Sequence, residues 1–191
     1  MNIRAVLLLA CFSLAGCSSV SQFSWSSLSP FSWFGSDLTL SDSGLGEITA
    51  STMMDESTLD KALDGDYRLR KGMGIENGQV VSFYEAMDDD DVALIVHGGA
   101  DNRVARIDVM DKSVKTPKGT QVGTQFADLY SKAFGICQVA EDSSGNVVCR
   151  SPESRRISYV FGGKWMGSKS IMPPDDTLKG WTVKKMVWQS Q

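Results

Sequence analysis

Few side chains in this 191-residue chain are of a kind that does chemistry: four cysteines, one histidine and some clustered acids. His97 follows the apolar run Val92–Val96, a place that suits a packed strand-end residue better than a catalyst. A single histidine excludes multi-histidine zinc sites. No Gly-x-Ser-x-Gly elbow presents a serine nucleophile. Asp88 to Asp91 are consecutive, whereas an EF-hand loop needs alternating acids, a central glycine and a closing glutamate. The run therefore reads as a solvated acidic loop, and Asp175-Asp176 as a proline-bounded turn. Gly162-Gly163-Lys164 lacks the upstream glycine of a phosphate loop. The expectation is no catalytic residue, no metal site and no cofactor.

The cysteines point elsewhere. Cys137 and Cys149 flank a predicted hairpin with eleven residues between them. In an oxidising compartment they would form a disulfide, contributing roughly 3 kcal/mol by the loop-entropy model. A two-residue Ser144-Gly145 turn would not set them directly opposite, which leaves the register open. A nucleophilic or redox cysteine is the alternative, and no Cys-x-x-Cys motif supports it.

Cys17 stands in a different context. Arg4 is the only charge before Asp37, and Ala5 to Leu14 is apolar but too short to cross a bilayer. Residues 1–16 read as a secretory signal peptide. Leu14-Ala15-Gly16-Cys17 resembles the lipobox of bacterial lipoproteins. That resemblance implies diacylglyceryl transfer to the Cys17 thiol, cleavage before Cys17, and acylation of the new amino terminus, with palmitate as a usual chain. An ordinary signal peptide, with Cys17 there by chance, is the plainer alternative. Each buried CH₂ contributes roughly 0.8 kcal/mol, and one chain alone holds only marginally, so several chains make a lasting anchor. Ser18 follows the cysteine. An aspartate there would resemble an inner-membrane retention signal, so serine favours the outer membrane. The first expected partner is the lipid bilayer, engaged through acylated Cys17.

The elements that must carry these residues follow in order. Residues 17–37 form an uncharged, serine-rich stretch up to Asp37, with Phe23, Trp25, Phe31, Trp33 and Phe34 among the serines. This reads as a tether whose rings could rest at the headgroup level. Residues 38–191 are long enough for one periplasmic domain with its own core. The net charge of −4 provides no basic footprint for nucleic acid. Glu47–Ser51 reads as a short strand. A helix capped by Asp55 or Ser57 runs to about Leu63 and ends at Gly65. Tyr67–Arg70 reads as a strand broken by Gly72-Met73-Gly74. Val80–Tyr84, Val92–Val96 and Arg103–Val109 follow, with turns at Asn77-Gly78, Asp88–Asp91 and Ala100–Asn102. Ser113–Thr116 reads as a further short strand. A second helix from Thr124 to about Phe134 carries Phe126, Leu129, Tyr130 and Ala133 as its stripe. Ile136–Val139 and Asn146–Arg150 form a hairpin. Ile157–Phe161 and Trp181–Trp188 complete the set.

The fold expected is α+β: mostly antiparallel sheet with two helices. An internal duplication of a helix–hairpin–strand unit is possible on this pattern. Leu94–Gly99 parallels Ser158–Gly163, both ending in Gly-Gly. The lipobox, the serine-aromatic stretch and the segment from Val114 through Gly135 resemble the sigma-E-regulated lipoprotein family of enterobacterial envelopes, a domain-of-unknown-function family. That resemblance implies an envelope-stress setting and supplies no catalytic residues. More weakly, the helix-Gly pattern before antiparallel strands is similar to small lipoproteins of the outer-membrane barrel-assembly machinery. The function expected is a non-enzymatic binding or scaffolding role in the envelope. An enzyme acting on an envelope substrate and a small-ligand carrier are the alternatives. For an envelope protein partner, Trp165 and Met166 are the expected anchors, because the Gly162–Leu178 loop has no counterpart after the first Gly-Gly.

Overall fold

The computed structural model describes residues 38–191, residues 77 and 143 excepted. The signal segment, Cys17 and the aromatic tether lie outside the described residues. The described chain has eleven strands, all paired antiparallel, and three short helices. Strands β1 (Leu40–Ser41), β2 (Gly44–Leu45) and β3 (Ile48–Thr49) make a small sheet, followed by helix α1 (Glu56–Ala62). The main sheet begins with β4 (Arg68–Glu76), β5 (Gln79–Asp88), β6 (Asp91–Gly98) and β7 (Val104–Val109). After α2 (Phe126–Leu129) come β8 (Cys137–Val139), β9 (Val147–Arg150), β10 (Ile157–Gly162), α3 (Asp175–Leu178) and β11 (Thr182–Gln189).

The eight-stranded order is β4-β5-β6-β7-β11-β10-β9-β8. It consists of two four-stranded meanders whose final strands, β7 and β11, pair with each other. Strand alternation puts every second side chain on one face. One row crosses the whole sheet: Leu69, Ala86, Leu94, Val109, Met186, Tyr159, Cys149 and Cys137. A second row holds Tyr84, Val96, Ile107, Trp188 and Ile157. These rows form the core together with Leu40, Leu45 and Ile48 of the small sheet, Leu59 of α1, Phe126 of α2 and Leu178 of α3. The opposite face carries Glu85, Ile95, His97, Arg106 and Asp108.

Helix α1 forms where its cap predicts. The Asp55 carboxylate accepts from Thr58 N–H at 3.0 Å, and Leu59 is buried. Asp64 and Gly65, both at positive φ, turn the chain out of it.

Four expectations are corrected. The second helix stops at Leu129 instead of Phe134. Tyr130 turns to an extended backbone, its hydroxyl donates to the Arg150 carbonyl at 2.7 Å, and its ring packs on Phe126 and Phe161. Phe126, Tyr130 and Ala133 are buried all the same, so the stripe is a core stripe without a continuous helix. The proline-bounded acids start a third helix, α3. Around Lys115, where a strand was expected, there are only isolated bridges, to Thr39 and Gln121.

Strand β4 also runs through Gly72 and Gly74 instead of breaking there. The Phe83 ring of β5 lies over Gly72, where a Cβ would come within 2.3 Å of it. The glycines make room for an aromatic neighbour, and the ladder is unbroken.

Cys137 and Cys149 are joined by a disulfide, directly opposite in register with Cα atoms 4.0 Å apart. The loop is longer than a two-residue turn. The ladder closes at Val139–Val147, with residues 140–146 outside it, and this restores the parity that brings the cysteines face to face. Thiol counting on denatured, unreduced protein is expected to find neither cysteine free. Reduction is expected to cost about 3 kcal/mol in denaturant unfolding. Two reactive thiols would remove the staple from the end of the core row.

Candidate functional site

Two places among the described residues gather polar side chains away from water. The first is on the open face of the main sheet. Asp108 of β7 is 3% exposed. Its Oδ1 accepts from Arg106 Nε at 2.7 Å, and its Oδ2 from Arg106 Nη2 at 2.8 Å and Lys185 Nζ at 2.9 Å. The two-residue spacing puts Arg106 and Asp108 on one face, and Lys185 reaches across from β11. His97 Nε2 lies 3.7 Å from Oδ2, too long for a hydrogen bond. The ring of His97 also meets Phe83, with centroids 6.1 Å apart. Burial pushes the Asp108 carboxyl up. His97, Arg106 and Lys185 more than offset that and hold it far below the usual carboxylate range. Three charge-assisted hydrogen bonds from two cations hold the carboxylate in its ionised form. The knot clamps β7 to β11.

The second place is a cleft in the C-terminal half, an open hollow of about 930 Å³. Leu129, Tyr130 and Ile136 form one wall, and Arg150, Pro152 and Arg155 contribute to the other. The loop between β9 and β10, residues 151–156, is held by side chains. Glu153, also in the lining, accepts from Thr116 Oγ1 at 3.1 Å and Thr120 Oγ1 at 3.0 Å. Both threonines are buried. Ser151 Oγ stands 3.0 Å from the Tyr159 hydroxyl. The Arg150 guanidinium donates to the Gly135 carbonyl at 2.9 Å and so ties the two walls together. Burial, with Tyr159 and Glu153 nearby, pushes the Tyr130 hydroxyl well above its ordinary value, so it stays a donor. Burial raises Tyr159 likewise, against hydrogen bonds that lower it.

Chemically the cleft offers apolar walls, two guanidinium groups and a carboxylate fixed in place. Ser151 Oγ has the Tyr159 hydroxyl beside it and accepts from the Glu153 N–H at 3.0 Å. His97 sits on the opposite face of the sheet, in the row of Phe83 and Arg106. Among the described residues no group of three or more His, Cys, Asp or Glu side chains could hold a metal ion. Asp88 to Asp91 are all exposed, and Asp89 and Asp90 form the tight turn between β5 and β6.

Trp165 and Met166 are adjacent in sequence but differ in environment. Trp165 is half-buried and packed against the core, and its Nε1 donates to the Ser168 carbonyl at 3.1 Å. Met166 is 99% exposed. An exposed aromatic stands in the segment that walls the cleft: Phe134, at 88%. Sequence reasoning passed over this cleft. The available signal was the run Ser151-Pro152-Glu153-Ser154-Arg155-Arg156, a proline-bearing loop with paired arginines between two strands.

Residues 22–190 match the family model described as "Protein of unknown function (DUF1131)". The chain belongs to this family. It is 46% identical over 189 residues to the uncharacterized protein YfeY of Escherichia coli (strain K12), covering 98% of each chain. The crystal structure of the uncharacterized protein yfeY from Escherichia coli superposes with a TM-score of 0.74 at 46% identity, covering 79% of this chain and 99% of that one. The family thus has a solved fold of the same kind.

Proposed function

We propose that this chain is an envelope lipoprotein, anchored through acylated Cys17 at the outer membrane, whose periplasmic domain binds a partner and transforms no substrate. The observation that carries the binding role is the C-terminal cleft with Phe134 beside it. An aromatic side chain 88% exposed in the segment between Tyr130 and Ile136, with apolar walls and two arginines in the lining, is the chemistry of an anchor site. Met166, 99% exposed on the loop between β10 and α3, supports the same reading, and its neighbour Trp165 packs on the core. The envelope-stress setting comes with the family resemblance and belongs to the same proposal. The size of the cleft favours a second reading, a carrier of a small amphipathic anion held by Arg150 and Arg155.

We also read the two meanders as copies of one unit. Each follows a helix, and the matching segments Leu94–Gly99 and Ser158–Gly163 fall on their third strands, β6 and β10.

A photo-reactive residue at position 134 tests the binding role in intact envelopes, with one at exposed Lys61 of α1 as control. A discrete adduct is expected from 134 and not from 61, and Ile136→Ser with Arg155→Ala should abolish it without changing the melting temperature. A turnover of an envelope substrate that disappears with Ser151→Ala would overturn the non-enzymatic reading. Palmitate label that persists on Cys17→Ser would remove the anchor.

A further inference from the structure

The two edges of the main sheet differ. β8 pairs over three residues, whereas β4 pairs with β5 through nine residues without a register shift. The outer side of such a strand offers a row of main-chain N–H and C=O groups to another strand. Charge, proline or a bulge ordinarily blunts an edge of this length. Only the first half of β4 is protected, by Arg68, Arg70 and Lys71. Gly72 to Ile75 carries no charge and no proline. In that half Met73 is 71% exposed and Ile75 78%, and Val80, opposite Ile75, is 69% exposed. The hairpin tip also reaches past β6, whose pairing with β5 ends at Phe83–His97.

We propose that β4 pairs antiparallel with the β4 of a second copy, about a two-fold axis at Gly72. Side-chain alternation allows only registers in which odd positions face odd and even face even. Moving the axis to Lys71 or Arg70 sets a cation against its own copy, which opposes pairing. At Gly72 all nine residues are used. Leu69 then faces Ile75, Lys71 faces Met73, Arg70 faces Gly74, and position 68, an arginine, faces position 76, a glutamate. The cationic half of each copy lies against the uncharged half of the other. The axis residue has no side chain, and Phe83 already covers it within each copy. The pairing is isologous and closes on itself, so it makes a dimer and not a fibre. It leaves only the short β8 edges facing outward. The competing occupant of these apolar side chains is a bilayer. The polar, exposed Gln79 at the hairpin end opposes burying the tip in hydrocarbon.

The test is a mixed crosslink. Full-length chains carrying Lys71→Cys or Met73→Cys, differently tagged, are co-expressed and oxidised in intact envelopes with copper–phenanthroline. A heterodisulfide that needs both substitutions is expected severalfold above either homodisulfide, because only unlike positions come within bonding distance. In sedimentation of the detergent-solubilised chain, Ile75→Lys is expected to weaken self-association about tenfold. Met73→Asp, facing Lys71, is expected to strengthen it, and neither should change the melting temperature. Homodisulfides in excess, or a monomer at every concentration, would overturn the proposal. So would binding to phosphatidylethanolamine–phosphatidylglycerol vesicles that Ile75→Lys abolishes while the chain stays monomeric.

Discussion

Replacing Trp188 with alanine is expected to cost about 3–5 kcal/mol, the range for deleting a large aromatic from a packed core. Trp188 is fully buried in β11, flanked in its row by Ile107 of β7 and Ile157 of β10. It therefore touches both meanders at their junction. Its Nε1 also donates to the Asp42 carbonyl at 3.1 Å, which ties the small N-terminal sheet to the main one. Trp188→Phe separates the two contributions. It keeps much of the packing and leaves the Asp42 carbonyl unpaired, for a cost of about 1–3 kcal/mol. Denaturant unfolding of the two variants measures both. A loss below about 1 kcal/mol for the alanine variant would mean the seam between the meanders is not where the core is held.

The second large effect is at Asp108. Asp108→Ala removes the acceptor that engages Arg106 and Lys185. Breaking a buried pair from one side costs about 3–5 kcal/mol, because the partner charge is left without compensation. Here both cations are 29% exposed and can turn toward water, so the low end is expected. The same residue sets a pH dependence. Its carboxyl lies lower in the folded protein than in the unfolded chain. Its contribution is thus fully present above about pH 4, where the unfolded carboxyl is also ionised, and is lost as the pH falls further. Between pH 5 and pH 2 the wild type should lose stability more steeply than Asp108→Asn. Parallel slopes for the two proteins would show that other acids dominate.

Much of the fold could be read from local pattern because most of its pairings are local. The Asp89-Asp90 turn, the Gly98 strand end and the cap at Asp55 act over a few residues, and each lies where the sequence puts it. Gly72 was misread because its glycine serves a cross-strand ring, not a break. The Cys137–Cys149 register depended on loop 140–146, whose length no turn signal fixed. The end of α2 depended on where the Tyr130 hydroxyl finds a carbonyl, twenty residues away at Arg150. The cleft was hidden for the same reason. Glu153 takes its place from Thr116 and Thr120, and Arg150 from Gly135, contacts that no window along the chain contains. Trp165 and Met166 were paired by adjacency, but the backbone turns one toward the core and the other to solvent.

The position of β11 bears on when the molecule can come into being. Thr182–Gln189 is synthesised after every other strand, yet it lies at the centre of the sheet between β7 and β10. A nascent chain lacking it has two fragments with no shared ladder and nothing to bury Ile107 or Tyr159 from that side. Native structure is thereby gated on the last of the described strands to emerge. For the exported lipoprotein proposed above, delay of that kind keeps the polypeptide pliable during vectorial passage through a translocation channel and releases it to fold as one event on the far side.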